Sequence, residues 1–334
     1  MKTILITGGC GYIASHFITL LDQKIYKVVI VDNFFNSSKK VLENLKKITS
    51  INIKFYEINI VNKIDLQTVF SKHSIDIILH FAGLKYVDLS FKHKEEYYKN
   101  NVMGSISLLE LALFYGVKKI IFSSSASVYG LNNISPIKET SSPSPISPYA
   151  ENKLHVENIL NELSLKNPEL TCVSLRYFNP IGAHESGLLG ERQSSIQTNI
   201  FPILCSVARG EKPHFFVYGN DYDTPDGTCI RDYIHISDLC LGHIRAMEFT
   251  YNNFGNYIFN LGTGKGYSVL DFIKTFEKIT NLKIPVKLIN RRDGDISQIF
   301  ADTSMAKKYL NWVSKNNLDQ MIFDGWNWEK TIHN

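Results

Sequence analysis

The chain has no Cys-x-x-Cys pair, and its five cysteines (Cys10, Cys172, Cys205, Cys229 and Cys240) are odd in number. A disulfide framework needs even pairing and a structural zinc site needs closely spaced thiols, so neither is expected. The pattern is that of reduced, buried thiols in a cytoplasmic protein. No apolar stretch reaches the roughly 18 residues that mark a membrane span, and the apolar run after Met1 is too short for a secretory signal. There is no dense basic stripe: 36 Lys and Arg stand against 32 Asp and Glu, a net charge of +4 over 334 residues. That excludes an electrostatic footprint for nucleic acid or an anionic membrane. No internal repeat at a fixed period is present either.

What remains is an ordinary globular composition, 44% hydrophobic and 20% charged, long enough for two adjoining lobes. In the first half, short β-rich runs at 3–6, 27–31, 53–56, 75–80, 119–123 and 171–177 alternate with helical patterns near 13–23, 38–48, 64–72, 95–115 and 148–166. Strand and helix alternating at this spacing predict βαβ units: an α/β fold, a Rossmann-type doubly wound parallel sheet covered on both faces. The Ser- and Pro-rich stretch 139–148 is a loop. Beyond about residue 178 Pro, Gly, Asn and Asp become frequent, which predicts a smaller, loop-rich C-terminal substrate lobe over 179–334, with some segments returning to the sheet of 1–178.

The first strand runs into Gly8-Gly9-Cys10-Gly11-Tyr12-Ile13 and then an amphipathic helix. Gly8 permits a tight turn, Gly11 lets the backbone approach a pyrophosphate, and the helix N-terminus offers free N–H groups to the phosphates. Ala14 takes the third glycine position. Asp32 closes the second strand, where a carboxylate accepts hydrogen bonds from both ribose hydroxyls and repels a 2′-phosphate; this favours NAD over NADP, with Lys39 and Lys40 nearby as the counter-argument. Tyr149 and Lys153 open the helix after Pro148 and share one of its faces. A free phenol titrates near ~10, so a lysine ammonium and a nicotinamide ring nearby would favour the phenolate. The strand ending Ser123-Ser124-Ser125 brings the Ser125 hydroxyl to the C-terminal sheet edge, where ligands bind in such folds.

With these motifs the sequence resembles the extended short-chain dehydrogenase/reductase family, and within it the UDP-hexose 4-epimerases. Phe81-Ala82-Gly83-Leu84-Lys85, Tyr177-Phe178-Asn179-Pro180, Gly182-Ala183-His184, Gly219-Asn220-Asp221-Tyr222, Arg231-Asp232-Tyr233, Arg291-Arg292 and Trp326-Asn327-Trp328 extend the likeness over almost the whole chain. The resemblance implies tightly held NAD, a UDP-sugar substrate, and inversion at C4 through a transient 4-keto sugar that turns over in the site. Tyr149 would be the base, Lys153 and Ser125 its partners. Asn33, Asn59, Ile60, Phe81, Ala82, Gly83, Asn100, Ser123 and Tyr177 would contact the cofactor along with the glycine loop. Tyr149, Lys85 and Lys153 would also lie along the cofactor, Lys153 at the nicotinamide ribose and Lys85 reaching the substrate as well. Asn179, Asn199, Arg231 and Arg292 would meet the diphosphate and sugar, and Phe178 would line the sugar pocket. Phe216 and Tyr218 would flank the uracil, and Tyr233 and Asp295 would serve the ribose. A homodimer through the helices near 95–115 and 148–166 is also implied.

Each of these residues has a plainer reading: Arg231 with Asp232 as a surface ion pair, Asn179 as a turn residue, Phe216 and Tyr218 as an ordinary strand, Tyr233 as core. Some family members carry Gly-Asp-Ile where this chain has Ile58-Asn59-Ile60, so an amide replaces the carboxylate that meets adenine. Ile299 stands where relatives carry either a bulky Tyr or a small residue, which implies weak activity on UDP-GlcNAc. Ala126 and Ser127 fill the positions of the acidic pair of a 4,6-dehydratase, arguing against dehydration. UDP-glucuronate epimerisation and a non-catalytic NAD-binding scaffold are the competing readings.

Overall fold

The computed structural model describes residues 1–131, 134–191, 199–292 and 294–333. Six of its strands fall where the sequence places them: β1 (Lys2–Thr7), β2 (Tyr26–Asp32), β3 (Asn52–Glu57), β4 (Ile77–His80), β5 (Lys119–Ser123) and β6 (Thr171–Tyr177). A further strand, Gly255–Leu261, pairs in parallel with β6 along its whole length. It completes a seven-stranded sheet whose order runs Gly255–Leu261, β6, β5, β4, β1, β2, β3, and every neighbouring pair is parallel. The chain leaves β1 in one direction to build β2 and β3, then crosses back to build β4 and β5. The crevice opens at that reversal, outside the carboxyl ends of β1 and β4.

Alternation along the strands divides the core in two. Ile4, Ile6, Val28 and Ile30 face one layer with Phe17 and Leu239, whereas Leu5, Val29 and Val31 face the other with Leu66, Leu108 and Leu160. Fully buried on both faces, these strands read as near-continuous apolar runs. Pro148–Lys166 begins at Ser147, whose side chain accepts from the Ala150 N–H, with Pro148 in the first turn where its missing N–H costs nothing. A third core, around Phe201, Phe215, Phe272, Phe276 and Met321, belongs to the C-terminal lobe.

One helix differs from its sequence reading. The segment expected as a single helix over 95–115 is Lys94–Tyr98, a π-helical turn at Lys99–Met103, and Gly104–Phe114. The wide turn swings Asn101 inward, where its side chain accepts from the Leu84 N–H at 2.7 Å and donates to the Leu84 carbonyl at 2.9 Å. Such π turns cluster at functional sites, and this one holds the Gly83–Lys85 loop on the cavity wall.

Candidate active site

A single cavity of 1090 Å³ runs across the carboxyl ends of the sheet and under the C-terminal lobe. That slightly exceeds the ~300–1,000 Å³ typical of single small-molecule sites. Its floor is the glycine loop. Gly8 has φ +67°, and a Cβ there would lie 2.8 Å from the Ala82 backbone, so only glycine lets the loop lie against the 81–83 turn. Gly11 caps helix Tyr12–Thr19 with no side chain to occupy the first-turn N–H groups. This is a cradle for a diphosphate. Tyr12 braces it by donating to the Gly182 carbonyl at 2.6 Å.

Asp32 is held by three donors: Cys10 N at 2.9 Å, Phe34 N at 2.8 Å and Ser37 Oγ at 2.9 Å. Its carboxylate borders the cavity. The two nearby lysines are each engaged by a carboxylate, Lys39 by Glu57 at 3.2 Å and Lys40 by Glu43 at 3.0 Å. A 2′-phosphate would therefore meet a fixed negative charge. Asn33, Asn59, Ile60, Phe81, Ala82 and Gly83 also face the cavity. These residues fit an NAD molecule: turn, open helix end and ribose-seeking carboxylate occur in the order that it requires.

At the far end the cavity meets Ser125, Tyr149, Lys153 and Tyr177. Burial pushes the Tyr149 phenol up, while its hydrogen bond with Ser125 and the nearby Lys85 charge work the other way. Ser127 donates its hydroxyl to Ser125 Oγ at 2.9 Å and so orients the serine. Lys153 lies 5.8 Å from the Tyr149 ring centroid and donates to the Ser123 carbonyl at 2.7 Å. Burial pulls its ammonium down to about 8, with Glu157 opposing. Lys85 is thus one cation whose charge opposes the upward shift of the Tyr149 phenol. Ser123 itself lies beneath the wall, its Oγ 3.0 Å from His243 Nε2.

Phe178, Asn179, Asn199, Arg231, Ile299, Lys85 and Asn100 complete the cavity lining. Arg231 pairs with Asp295 at 3.3 Å and donates to the Ile296 carbonyl at 2.7 Å; it does not pair with Asp232. Phe216, Tyr218 and Arg292 lie outside the lining in a neighbouring cluster, with the Arg292 guanidinium 3.8 Å over the Tyr218 ring. Asp295 links the two groups through Arg231. Tyr233 is buried, its ring 4.7 Å from Phe272, and it belongs to the lobe's core, not the cavity wall.

Two further residues, Glu191 and Trp328, line the cavity. Glu191 accepts from Lys85 Nζ at 2.7 Å and from Asn199 Nδ2 at 3.5 Å. Trp328 packs under Gly190, where a Cβ would lie 2.3 Å from its ring. Glu191 carries no local sequence signal, whereas Trp328 belongs to the Trp326-Asn327-Trp328 motif, whose place on the cavity wall only the fold reveals.

Residues 5–324 match the family model described as GDP-mannose 4,6 dehydratase. The UDP-glucose 4-epimerase of Pasteurella multocida is 46% identical over 98% of this chain and 97% of its own length. The solved structure of UDP-glucose-4-epimerase from Stenotrophomonas maltophila, with bound NAD and formylated UDP-arabinopyranose, superposes with a TM-score of 0.97 at 40% identity, covering 100% of this chain and 99% of the other. That of the Bifidobacterium longum UDP-glucose 4-epimerase, in complex with NAD+ and UDP, gives 0.94 at 44% identity, covering 99% and 98%. The dehydratase description names the broad family, because Ala126 and Ser127 supply no acid pair at this cavity wall. The chain belongs to the extended short-chain dehydrogenase/reductase family and, within it, to the UDP-glucose 4-epimerases.

Proposed function

We propose that the chain uses NAD to interconvert UDP-galactose and UDP-glucose by inverting C4 of the hexose. The observation that carries this reading is the convergence of Tyr149 and Ser125 on the end of the dinucleotide cradle, in the same cavity as Arg231 and Asn179. NAD held on the glycine loop and Asp32 would supply a reversible hydride acceptor for C4, so the cycle would consume no external oxidant. Tyr149 Oη accepts the 4-hydroxyl proton, and Ser125 shares that hydrogen bond with the sugar oxygen. Ser127 holds Ser125 in place for this exchange. Lys153, anchored on the Ser123 carbonyl, reaches the cofactor ribose. Lys85, Asn199 and Arg231 hold the diphosphate, so the sugar can turn over while the nucleotide stays fixed. Once the keto sugar has turned its other face to the cofactor and C4 has regained its hydride there, Tyr149 returns its proton to the O4 oxygen. The Phe216, Tyr218 and Arg292 cluster takes the uridine end.

Ile299, half-buried on the cavity wall, supports a second and weaker activity on UDP-GlcNAc. Five free, buried cysteines suit a reducing cytoplasm. Among the described residues, no helix is long and apolar enough to cross a membrane. A homodimer is part of the same reading: Phe91, Tyr98, Met103 and Leu165 are exposed on the helices of 87–114 and 148–166.

The test is direct. Purified protein is incubated with UDP-galactose and no added cofactor, and the anomeric signals are followed by proton NMR. UDP-glucose should appear until equilibrium; an unchanged spectrum overturns the assignment.

A further inference from the structure

Asp232 sits at 0% exposure immediately after Arg231. A buried carboxylate is costly unless hydrogen-bonded, and this one is fully engaged by neutral donors. Oδ1 accepts from Thr263 N at 2.8 Å and Thr263 Oγ1 at 2.6 Å. Oδ2 accepts from Gly264 N at 3.0 Å and Ala301 N at 3.1 Å. The backbone adds three more bonds. Asp232 N donates to the Ile299 carbonyl at 3.1 Å, and the Asp232 carbonyl accepts from Asn179 N at 3.0 Å and Asn179 Nδ2 at 2.9 Å. Gly262 completes the seat, since a Cβ there would lie 2.5 Å from Asp232 Oδ2.

One residue therefore ties together three chain segments: 179–181, 262–264 and 298–301. Three residues it fixes by backbone contact or adjacency, Asn179, Arg231 and Ile299, line the substrate half of the cavity. None of its hydrogen-bond partners belongs to the glycine loop or to the Tyr149, Ser125 and Lys153 set. An apolar side chain would fill this buried position at lower desolvation cost, so the carboxylate is retained for the segments it ties together.

We propose that Asp232 is a positioning residue for sugar-nucleotide binding: its carboxylate seats residue 232 on the 263–264 and 301 backbone, and its main chain, held there, fixes Asn179, Arg231 and Ile299, while the cofactor half is left untouched. The inference rests on the epimerase reading above.

The test uses Asp232→Asn, Thr263→Val, which removes one carboxylate donor, and Thr263→Ser, which keeps it. For each variant, bound NAD is measured after denaturation, UDP affinity by calorimetry, and KM and kcat with UDP-galactose. Asp232→Asn should weaken UDP binding and raise KM by about tenfold, with kcat within about twofold and NAD content unchanged. Thr263→Val should shift UDP affinity in the same direction by a smaller factor, and Thr263→Ser should restore it. Should Asp232→Asn fail to fold, the Thr263 pair decides. Unchanged UDP affinity in the folded variants, or NAD lost in step with UDP, would overturn the proposal. Wild-type protein that binds UDP but does not convert UDP-galactose would instead sink the epimerase reading, and the affinity comparison would still judge Asp232.

Discussion

Tyr149 shows how residue type and surroundings divide the work. Its phenol is pushed up by burial, and the opposing influences are a serine hydroxyl and the Lys85 charge. Lys85 is in turn held by Glu191 at 2.7 Å. Any ligand phosphate that draws Lys85 toward itself must compete with that carboxylate. Removing the Tyr149 hydroxyl deletes the proton acceptor without touching the cradle. Tyr149→Phe should lower kcat by about 10²–10⁴-fold, while NAD released on denaturation stays at the wild-type level. A kcat near wild type would mean that another group takes the proton.

At the level of elements, the π turn at Lys99–Met103 and the 83–85 loop form one device. Thr7, His80 and Ser105 continue it inward: His80 Nδ1 lies 2.7 Å from Thr7 Oγ1 and Nε2 lies 2.7 Å from Ser105 Oγ. Ser105 donates to the Asn101 carbonyl, which makes its oxygen the acceptor for the His80 Nε2–H and leaves Nδ1 to accept from Thr7. Asn101→Ala would strand the Leu84 N–H and carbonyl in a buried place, at about 1–3 kcal/mol for each unpaired group. The expected result is faster hydrogen exchange at Leu84 and a lower unfolding midpoint, and unchanged exchange there would contradict the role. Gly8→Ala should cost about 1–3 kcal/mol through its left-handed backbone and its clash with Ala82, read as a lower urea midpoint together with reduced NAD content.

These same elements mark what could be read in advance. Strands β1 to β6 and the 148–166 helix announce themselves by apolar runs and by the Ser147-Pro148 start. The π turn does not, because no residue type in Lys99–Met103 marks it and the flanking helical pattern is too short to show the phase shift. Strand Gly255–Leu261 begins in a glycine- and asparagine-rich stretch, and its partner lies far upstream, so no local signal defines it. The glycine loop, Asp32, Tyr149 and Lys153 are legible as motifs. Glu191 becomes visible only when the fold brings it to the cavity.

The molecule as a whole carries buried neutral imidazoles. Burial pulls His16 and His80 down to about 3 and His243 down to about 4. In the unfolded chain histidine binds its proton near ~6.5, so between these values the unfolded state holds more protons and acid favours unfolding. Stability is therefore greatest above about 6.5 and falls as the pH drops toward 4. Calorimetry should show a steady fall in Tm across that window, and a flat Tm would contradict the assignment of neutral buried rings. The central claim is that one site, centred on Tyr149, inverts C4 without net oxidation. The most direct measurement uses UDP-galactose carrying deuterium at C4, incubated with purified protein in ordinary water. The UDP-glucose formed should keep its deuterium at C4. Product with ordinary hydrogen at C4 would mean exchange with solvent, and the account would be wrong.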